Sequence, residues 1–197
     1  MSKLVVSEFV TLDGVMEDPG GSEGFERGGW AFQFDRGPEG NKFKLDEVLA
    51  ADALLLGRKT YEGFAAAWPS RTDEAGFAEK MNTMPKFVVS GTLESADWNN
   101  STVIKGDVAE AVSKLKQRPG GDLLVAGSAQ LVQTLMQHDL LDEYRLMVFP
   151  VILGAGKRLF EDAADRTALK VVEAKPAGEV VILTLRPART EQQQPTG

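Results

Sequence analysis

Cysteine is absent from the chain, and histidine occurs once, at position 138. Without a thiol there is no disulfide framework, no thiolate nucleophile and no thiolate metal site, so any redox chemistry must come from a borrowed cofactor. Long apolar runs are missing too. Nothing approaches the roughly 18 consecutive apolar residues that a membrane-spanning helix needs. The start, Met1-Ser2-Lys3-Leu4-Val5-Val6, has neither the apolar stretch nor the cleavage site of a secretory signal. The expectation is a cytoplasmic protein with no membrane partner. Basic charge is in deficit: 22 Lys and Arg stand against 29 Asp and Glu, a formal net charge of −7. That balance works against nucleic acid as a partner. An anionic small ligand would need helix N-termini and a few cations to reverse the local potential.

What is present is enough apolar material, 43% of 197 residues, for one substantial core. A single domain is expected over 1–187, with a polar, flexible tail at 188–197. Leu4 to Val10 is a short β-branched run that exits through Thr11-Leu12-Asp13-Gly14, so strand one ends near Thr11. From Pro19 to Gly40 the chain is glycine-rich and aperiodic, with Trp30, Phe32 and Phe34 set two apart; it is either a lid over a pocket or a plain surface loop. Phe43, Leu45, Val48 and Leu49 then fall at helical spacing within Asn41 to Ala51, and Ala53-Leu54-Leu55-Leu56 is a buried strand stopping at Gly57.

The alternation continues. A helix opens on Arg58-Lys59-Thr60-Tyr61 and ends before Pro69, Asp73 to Met81 reads as a short helix, and Lys86 to Ser90 as a strand closing on Gly91-Thr92. An amphipathic helix spans about Asp107 to Gln117, a strand Asp122 to Ala126, and a further helix carries Leu131, Val132, Leu135 and Met136 on one face. The last strands, Tyr144 to Phe149, Leu169 to Val172 and Val180 to Leu185, have no helix long enough for a parallel crossover between them, so antiparallel pairing is expected at that end of a mixed, mostly parallel α/β sheet.

Where a buried strand ends in glycine and a helix begins, free backbone N–H groups and the positive end of the helix dipole converge, which suits phosphate. Gly57-Arg58-Lys59-Thr60 and Gly127-Ser128-Ala129-Gln130 both have this form. Either could equally be a tight turn with solvated charge, and neither has the G-x-G-x-x-G spacing of the Rossmann fingerprint. His138, at a helix end, fits a favourable dipole contact better than catalysis, and Glu161, Asp162 and Asp165 have no ligand spacing that demands a metal.

Four segments in order, Thr11-Leu12-Asp13-Gly14, Leu56-Gly57-Arg58-Lys59-Thr60-Tyr61-Glu62, Val88-Val89-Ser90-Gly91-Thr92-Leu93 and Val125-Ala126-Gly127-Ser128, resemble the dihydrofolate-reductase-like superfamily. A fifth, Leu140-Leu141-Asp142-Glu143-Tyr144 followed by Pro150 to Phe160 with its Gly154-Ala155-Gly156-Lys157-Arg158, resembles the reductase domain of bifunctional riboflavin-biosynthesis deaminase-reductases. The resemblance covers about residues 3–186. It implies a three-layer α/β fold with an NADPH site along the sheet's carboxyl edge. Arg58, Lys59 and Thr60 would lie along the phosphates, Ser90 and Gly91 near the 2′-phosphate, and Gly127 and Ser128 would cradle the pyrophosphate, with Gly57 and Ala129 as further cofactor-binding positions. It further implies an NADPH-dependent reductase similar to 5-amino-6-(5-phosphoribosylamino)uracil reductase, acting on a small heterocyclic or carbonyl substrate.

Asp13 is the catalytic candidate, with a turn-forming Asp as the alternative, and Trp30 and Trp68 are candidate pocket walls or core. Dihydrofolate reductases carry an acidic residue on the helix after the lid; Asp46 and Glu47 are read instead as solvated surface charge. The biosynthetic reductases typically read Glu-Gly-Gly where this chain has Ala126-Gly127-Ser128, and no zinc-ligand His/Cys set of a deaminase is present. The likeness is therefore closer to stand-alone relatives, and a non-catalytic ligand-binding homodimer is the rival. The family pairs through its C-terminal strands, so a homodimer is expected.

Overall fold

The computed structural model describes residues 1–160 and 166–188. From position 189 on, the expected tail lies outside the described residues, and so do Glu161, Asp162 and Asp165. Strand β1 (Leu4–Thr11) is buried on both faces, as an unbroken apolar run between two helical layers requires. It pairs in parallel with β5 (Asp122–Ala126) on one side and β6 (Glu143–Phe149) on the other. Beyond β5 follow β2 (Ala51–Gly57), β3 (Lys86–Val89) and β4 (Ser101–Ile104), all parallel. Beyond β6 come β8 (Val180–Pro187), antiparallel to it, and β7 (Leu169–Ala177), joined to β8 in a hairpin whose turn places Gly178 at φ +57°. The order β4-β3-β2-β5-β1-β6-β8-β7 is the mixed, mostly parallel sheet expected from the sequence. Strand β4 was not foreseen, because its short Ser-Thr-Val-Ile sequence at the sheet edge carries little apolar signal.

Helices α1 (Gly37–Ala50), α2 (Arg58–Ala67) and α3 (Phe77–Thr83) contribute Val48, Tyr61 and Met81 to one core with Val5 of β1. Helices α4 (Val108–Lys116) and α5 (Ala129–Gln137) contribute Val112, Leu115, Leu131, Val132 and Leu135 to another with Leu4 and Val6. The alternation along β1 thus separates three layers. Helix α1 starts at Gly37, four residues before the periodic stretch, with Pro38 in its first turn, where a missing N–H does no harm. Helix α3 starts at Phe77 rather than near Asp73. The Asp73 carboxylate accepts the Phe77 and Ala78 N–H groups (3.0 and 2.6 Å) across Gly76 at φ +84°, so the acid caps the helix from outside it.

The loop from Asp13 to Arg36 is built around a buried carboxylate. Asp18 accepts from Ser22, Glu23 and Phe25 N–H at 2.8, 3.0 and 3.2 Å, and Trp30 Nε1 donates to Glu17 O at 2.9 Å. Trp30 is 1% exposed and meets Phe149 edge-on at 5.2 Å. It is core of the layer under β6, packed with Met147 and Phe149. Phe34 also packs on Phe149, and Phe32 alone of the three aromatics is exposed.

Lys86, at the start of β3, has no exposed surface, and burial pushes its ammonium down to about 8. Its Nζ donates to Met84 O, Asn99 O and Asn82 O at 2.8, 2.9 and 3.2 Å and lies 4.2 Å from the Trp98 ring. It ties the end of α3 to the β3–β4 connection. Lys86→Met strands those carbonyls and should lower unfolding free energy by roughly 2–3 kcal/mol, read as a reduced midpoint in urea with an unchanged slope.

Candidate nucleotide and substrate site

Because β3, β2 and β5 are parallel neighbours, the turns that leave them share one edge. The β2–α2 turn holds Gly57, Arg58, Lys59 and Thr60, the β5–α5 turn Gly127, Ser128 and Ala129, and the segment after β3 Ser90, Gly91 and Thr92. They are hydrogen-bonded to one another. Ser128 Oγ accepts Gly57 N–H at 2.8 Å and lies 3.0 Å from Thr60 Oγ1. Arg58 donates from Nη1 to Thr92 Oγ1 at 2.7 Å and from Nε to Glu62 at 2.7 Å. Ser90 Oγ receives the Thr92 and Leu93 N–H groups at 3.2 and 3.0 Å. The structure therefore brings the three turns that carry the nine proposed nucleotide residues together at one edge of the sheet.

Gly127 (φ +59°) and Ser128 (φ +64°) both lie in the left-handed region. A Cβ at Gly127 would stand 2.7 Å from Thr60 Oγ1, so only glycine permits this approach. Helices α2 and α5 have neither a side-chain cap nor an acidic residue in the first turn, whereas α1, α3 and α4 carry Glu39, Glu79 and Glu110 there. Two helix starts with uncapped N–H groups and no acidic residue in the first turn fit an anion.

Trp68 does not join this surface. It sits beyond the far end of the ten-residue α2, about 15 Å from Arg58 at 1.5 Å per residue. There it packs on Phe77 (5.2 Å) and under Arg71 (4.8 Å).

Asp13 is an anchor. Its carboxylate accepts from Thr11 Oγ1 (2.6 Å), Leu153 N–H (3.2 Å) and Gly154 N–H (2.8 Å), tying the β1 exit to the loop after β6. Slight burial would raise its pKa, but the Thr11 hydroxyl and the Gly154 and Leu153 amides outweigh it and hold the group at about 2. A carboxylate that stays ionised and committed to three donors is a poor proton relay, so the turn-forming alternative describes it. Since the folded value lies below 3.8, these bonds contribute stability above that pH and lose it as pH falls through about 2. Asp13→Asn should lower Tm at neutral pH, and the gap to wild type should close in that acid window, as measured by thermal melts across pH.

A second polar group went unrecognised in the sequence. Glu47, read as solvated, is 4% exposed: its Oε1 receives the Ser7 hydroxyl at 2.7 Å and pairs with Lys44, whose Nζ also donates to Ser7 Oγ at 2.8 Å. Glu8, next to Ser7 on β1, is 5% exposed. Glu8 Oε1 and Glu47 Oε2 are buried with no hydrogen-bond partner. Burial raises the Glu8 pKa well above the usual carboxylate value; Lys44 and the Gly127 amide oppose the shift and Glu47 adds to it. The signal was a charged residue inside an otherwise apolar, doubly buried strand. Asp46, by contrast, is exposed and paired with Lys42.

The sheet order and its flanking helices define a dihydrofolate-reductase-like α/β fold, shared with dihydrofolate reductase from Enterococcus faecalis complexed with NADP(H) (TM-score 0.57, 16% identity, covering 94% of this chain and 96% of that one). Residues 2–183 match the RibD C-terminal domain, and the chain belongs to that family. A Shewanella sp. PV-4 protein ascribed to riboflavin biosynthesis has the same fold (TM-score 0.75, 19% identity, 96% of this chain and 100% of that one). The uncharacterized protein YyaP of Bacillus subtilis is 30% identical over 183 residues, spanning 91% of this chain and 92% of its own. Among the described residues no helix is long and apolar enough to cross a membrane.

Proposed function

We propose that this protein is an NADPH-dependent reductase of a small heterocyclic or carbonyl compound, similar to 5-amino-6-(5-phosphoribosylamino)uracil reductase. The observation that carries the reading is the joined edge of β3, β2 and β5: two uncapped, acid-free helix starts stitched by Ser128, Gly57 and Thr60, with Arg58 reaching Thr92. The pyrophosphate lies against Gly57, Gly127, Ser128 and Ala129, where glycine lets the backbone approach. Arg58, Lys59 and Thr60 run along the phosphates, and Ser90 and Gly91 border the 2′-phosphate. The nicotinamide supplies the hydride when bound; the chain's part is to hold it, orient it and exclude water.

A lost charge-assisted contact costs about 1.5–3 kcal/mol, roughly a tenfold to hundredfold loss of affinity. Arg58→Ala, which removes the guanidinium that reaches Thr92 beside Ser90 and Gly91, should weaken NADPH by that factor and NADH much less, followed by tryptophan quenching or calorimetry. Equal losses for both nucleotides would remove the 2′-phosphate from this position. Asp13's commitment to loop amides favours one other reading, a ligand-binding homodimer without catalysis; NADPH oxidation in the presence of any carbonyl or cyclic imine excludes it.

Pairing of two copies through the C-terminal strands is part of the proposal. Strand β7 is an open edge, and Val171, Val172 and Val181 on the β7–β8 hairpin are exposed, the apolar edge that self-pairing covers. Light scattering should give about twice the 21.3 kDa chain mass, and Val172→Lys should shift it toward the single chain.

A further inference from the structure

Strands β1 and β5 stay paired only as far as Ser7 and Ala126. There β5 turns away at Gly127 into α5, whose connection leads to β6, while β1 runs on beside β6 alone, with Glu8 opposite Leu146. The chain leaving β1 goes the other way, through α1 to β2. Two connections departing to opposite sides open a crevice between the strand ends, and in open α/β sheets ligands settle there. Glu8 is the first β1 residue past the point of parting.

An acid at this depth is costly unless something uses it, since a buried carboxyl oxygen without a partner loses its hydration and gains nothing. Among the described residues only Glu8, Glu47 and Ser101 hold such a side-chain atom. Ser101 is on edge strand β4, and Glu47 already has Ser7 and Lys44. Glu8 stands closest to the turn assigned to the pyrophosphate. The charged groups acting on it are Lys44 and Glu47 from α1, and the Gly127 amide, in the turn just after β5, also favours its ionised form. Burial outweighs the two that favour ionisation, so the side chain holds its proton more tightly than an ordinary carboxyl does.

We propose that Glu8 is the general acid of this site, standing at the nicotinamide end of the crevice and losing its proton as the nicotinamide is oxidised. The inference rests on the nucleotide reading above. In the step, the carbon of a substrate C=O or C=N bond accepts the hydride that the reduced nicotinamide supplies. The heteroatom of the same bond takes the Glu8 proton as the π bond breaks. The product carries both hydrogens, the nicotinamide is left oxidised, and the Glu8 carboxylate regains its proton from solvent. Lys44, held by Ser7 and Glu47, is the cation that steadies the carboxylate in between.

The test needs no substrate, because the positive ring of NADP+ beside Glu8 should itself draw the proton off. Binding of NADP+ and of NADPH is measured by calorimetry in buffers of different ionisation enthalpy across the neutral pH range. Wild type should release up to about one proton with NADP+ and much less with NADPH; Glu8→Gln, which keeps the shape of the neutral acid, should bind both without this difference. An infrared difference spectrum between the two wild-type complexes, showing loss of a protonated carboxyl band with NADP+, gives the same answer without a variant. Both nucleotides binding with identical proton release in wild type, or a difference that survives Glu8→Gln, overturns the assignment of Glu8 and leaves the cofactor reading standing. Failure of either nucleotide to bind overturns both.

Discussion

The strands β4, β3, β2, β5, β1 and β6 run side by side in one direction. A parallel pair needs a crossover, and the crossing helix runs back over the sheet. Every strand-to-helix turn in this part of the molecule is therefore delivered to the same edge, with helix N-termini and their unpaired N–H groups facing it. A chain of net charge −7 can present a locally electropositive surface there because backbone dipoles supply what side chains do not. The acid-free first turns of α2 and α5 leave that field intact, while Glu39, Glu79 and Glu110 offset it on the other helices. Reversing a single strand would break the arrangement. Strand β8 does run the other way, and it lies outside the block that forms the turns.

The parts of this architecture with local causes were legible in the sequence. Strands β1, β2, β3 and β5 are runs of apolar residues closed by Gly, Thr or Ser, and α2, α4 and α5 have clear helical spacing. The turns at Gly57 and Gly127 could be placed because the residue types that permit a left-handed backbone and a close approach are few. Boundaries set by distant or polar partners were not legible. The start of α3 depends on Asp73 reaching past Gly76 to bare N–H groups. The start of α1 lies in a polar turn with no periodic apolar residue. Strand β4 exists because β3 offers it an open edge, which only the assembled sheet reveals.

The candidate site divides along the same line. Contacts made through the backbone near glycine were found, whereas side chains whose character is set by what packs over them were not. Asp13 and Glu47 both sit in surroundings that the sequence did not reveal. Asp13, at the edge and near solvent, is taken up by the loop after β6, and hydrogen bonds hold it ionised. Glu47 looked like one charge among several on a helix surface, but Ser7 and Lys44 draw it under the sheet edge. Trp30 filled the core because its indole N–H found Glu17 O and its ring found Phe149. In each case the deciding partner is far away in sequence or across the sheet.

These placements give the edge a direction. Toward β2 and β3 it offers cations, hydroxyls and free N–H groups; toward β1 it offers a buried acid and the Lys44–Glu47 pair. A dinucleotide is polarised in the same sense, with phosphates at one part and an uncharged or cationic ring at the other. Laid the wrong way round, phosphate would meet the Glu47 carboxylate at low dielectric, where like-charge repulsion is strongest. In the proposed reading, orientation follows from the sheet order, because β5 separates the donor-rich turns from the acid-bearing strand and the Gly127–Ser128 bend marks the border. Changes at Glu8 or Glu47 would then alter which end of a ligand this edge accepts, even though neither residue lies among the phosphate contacts.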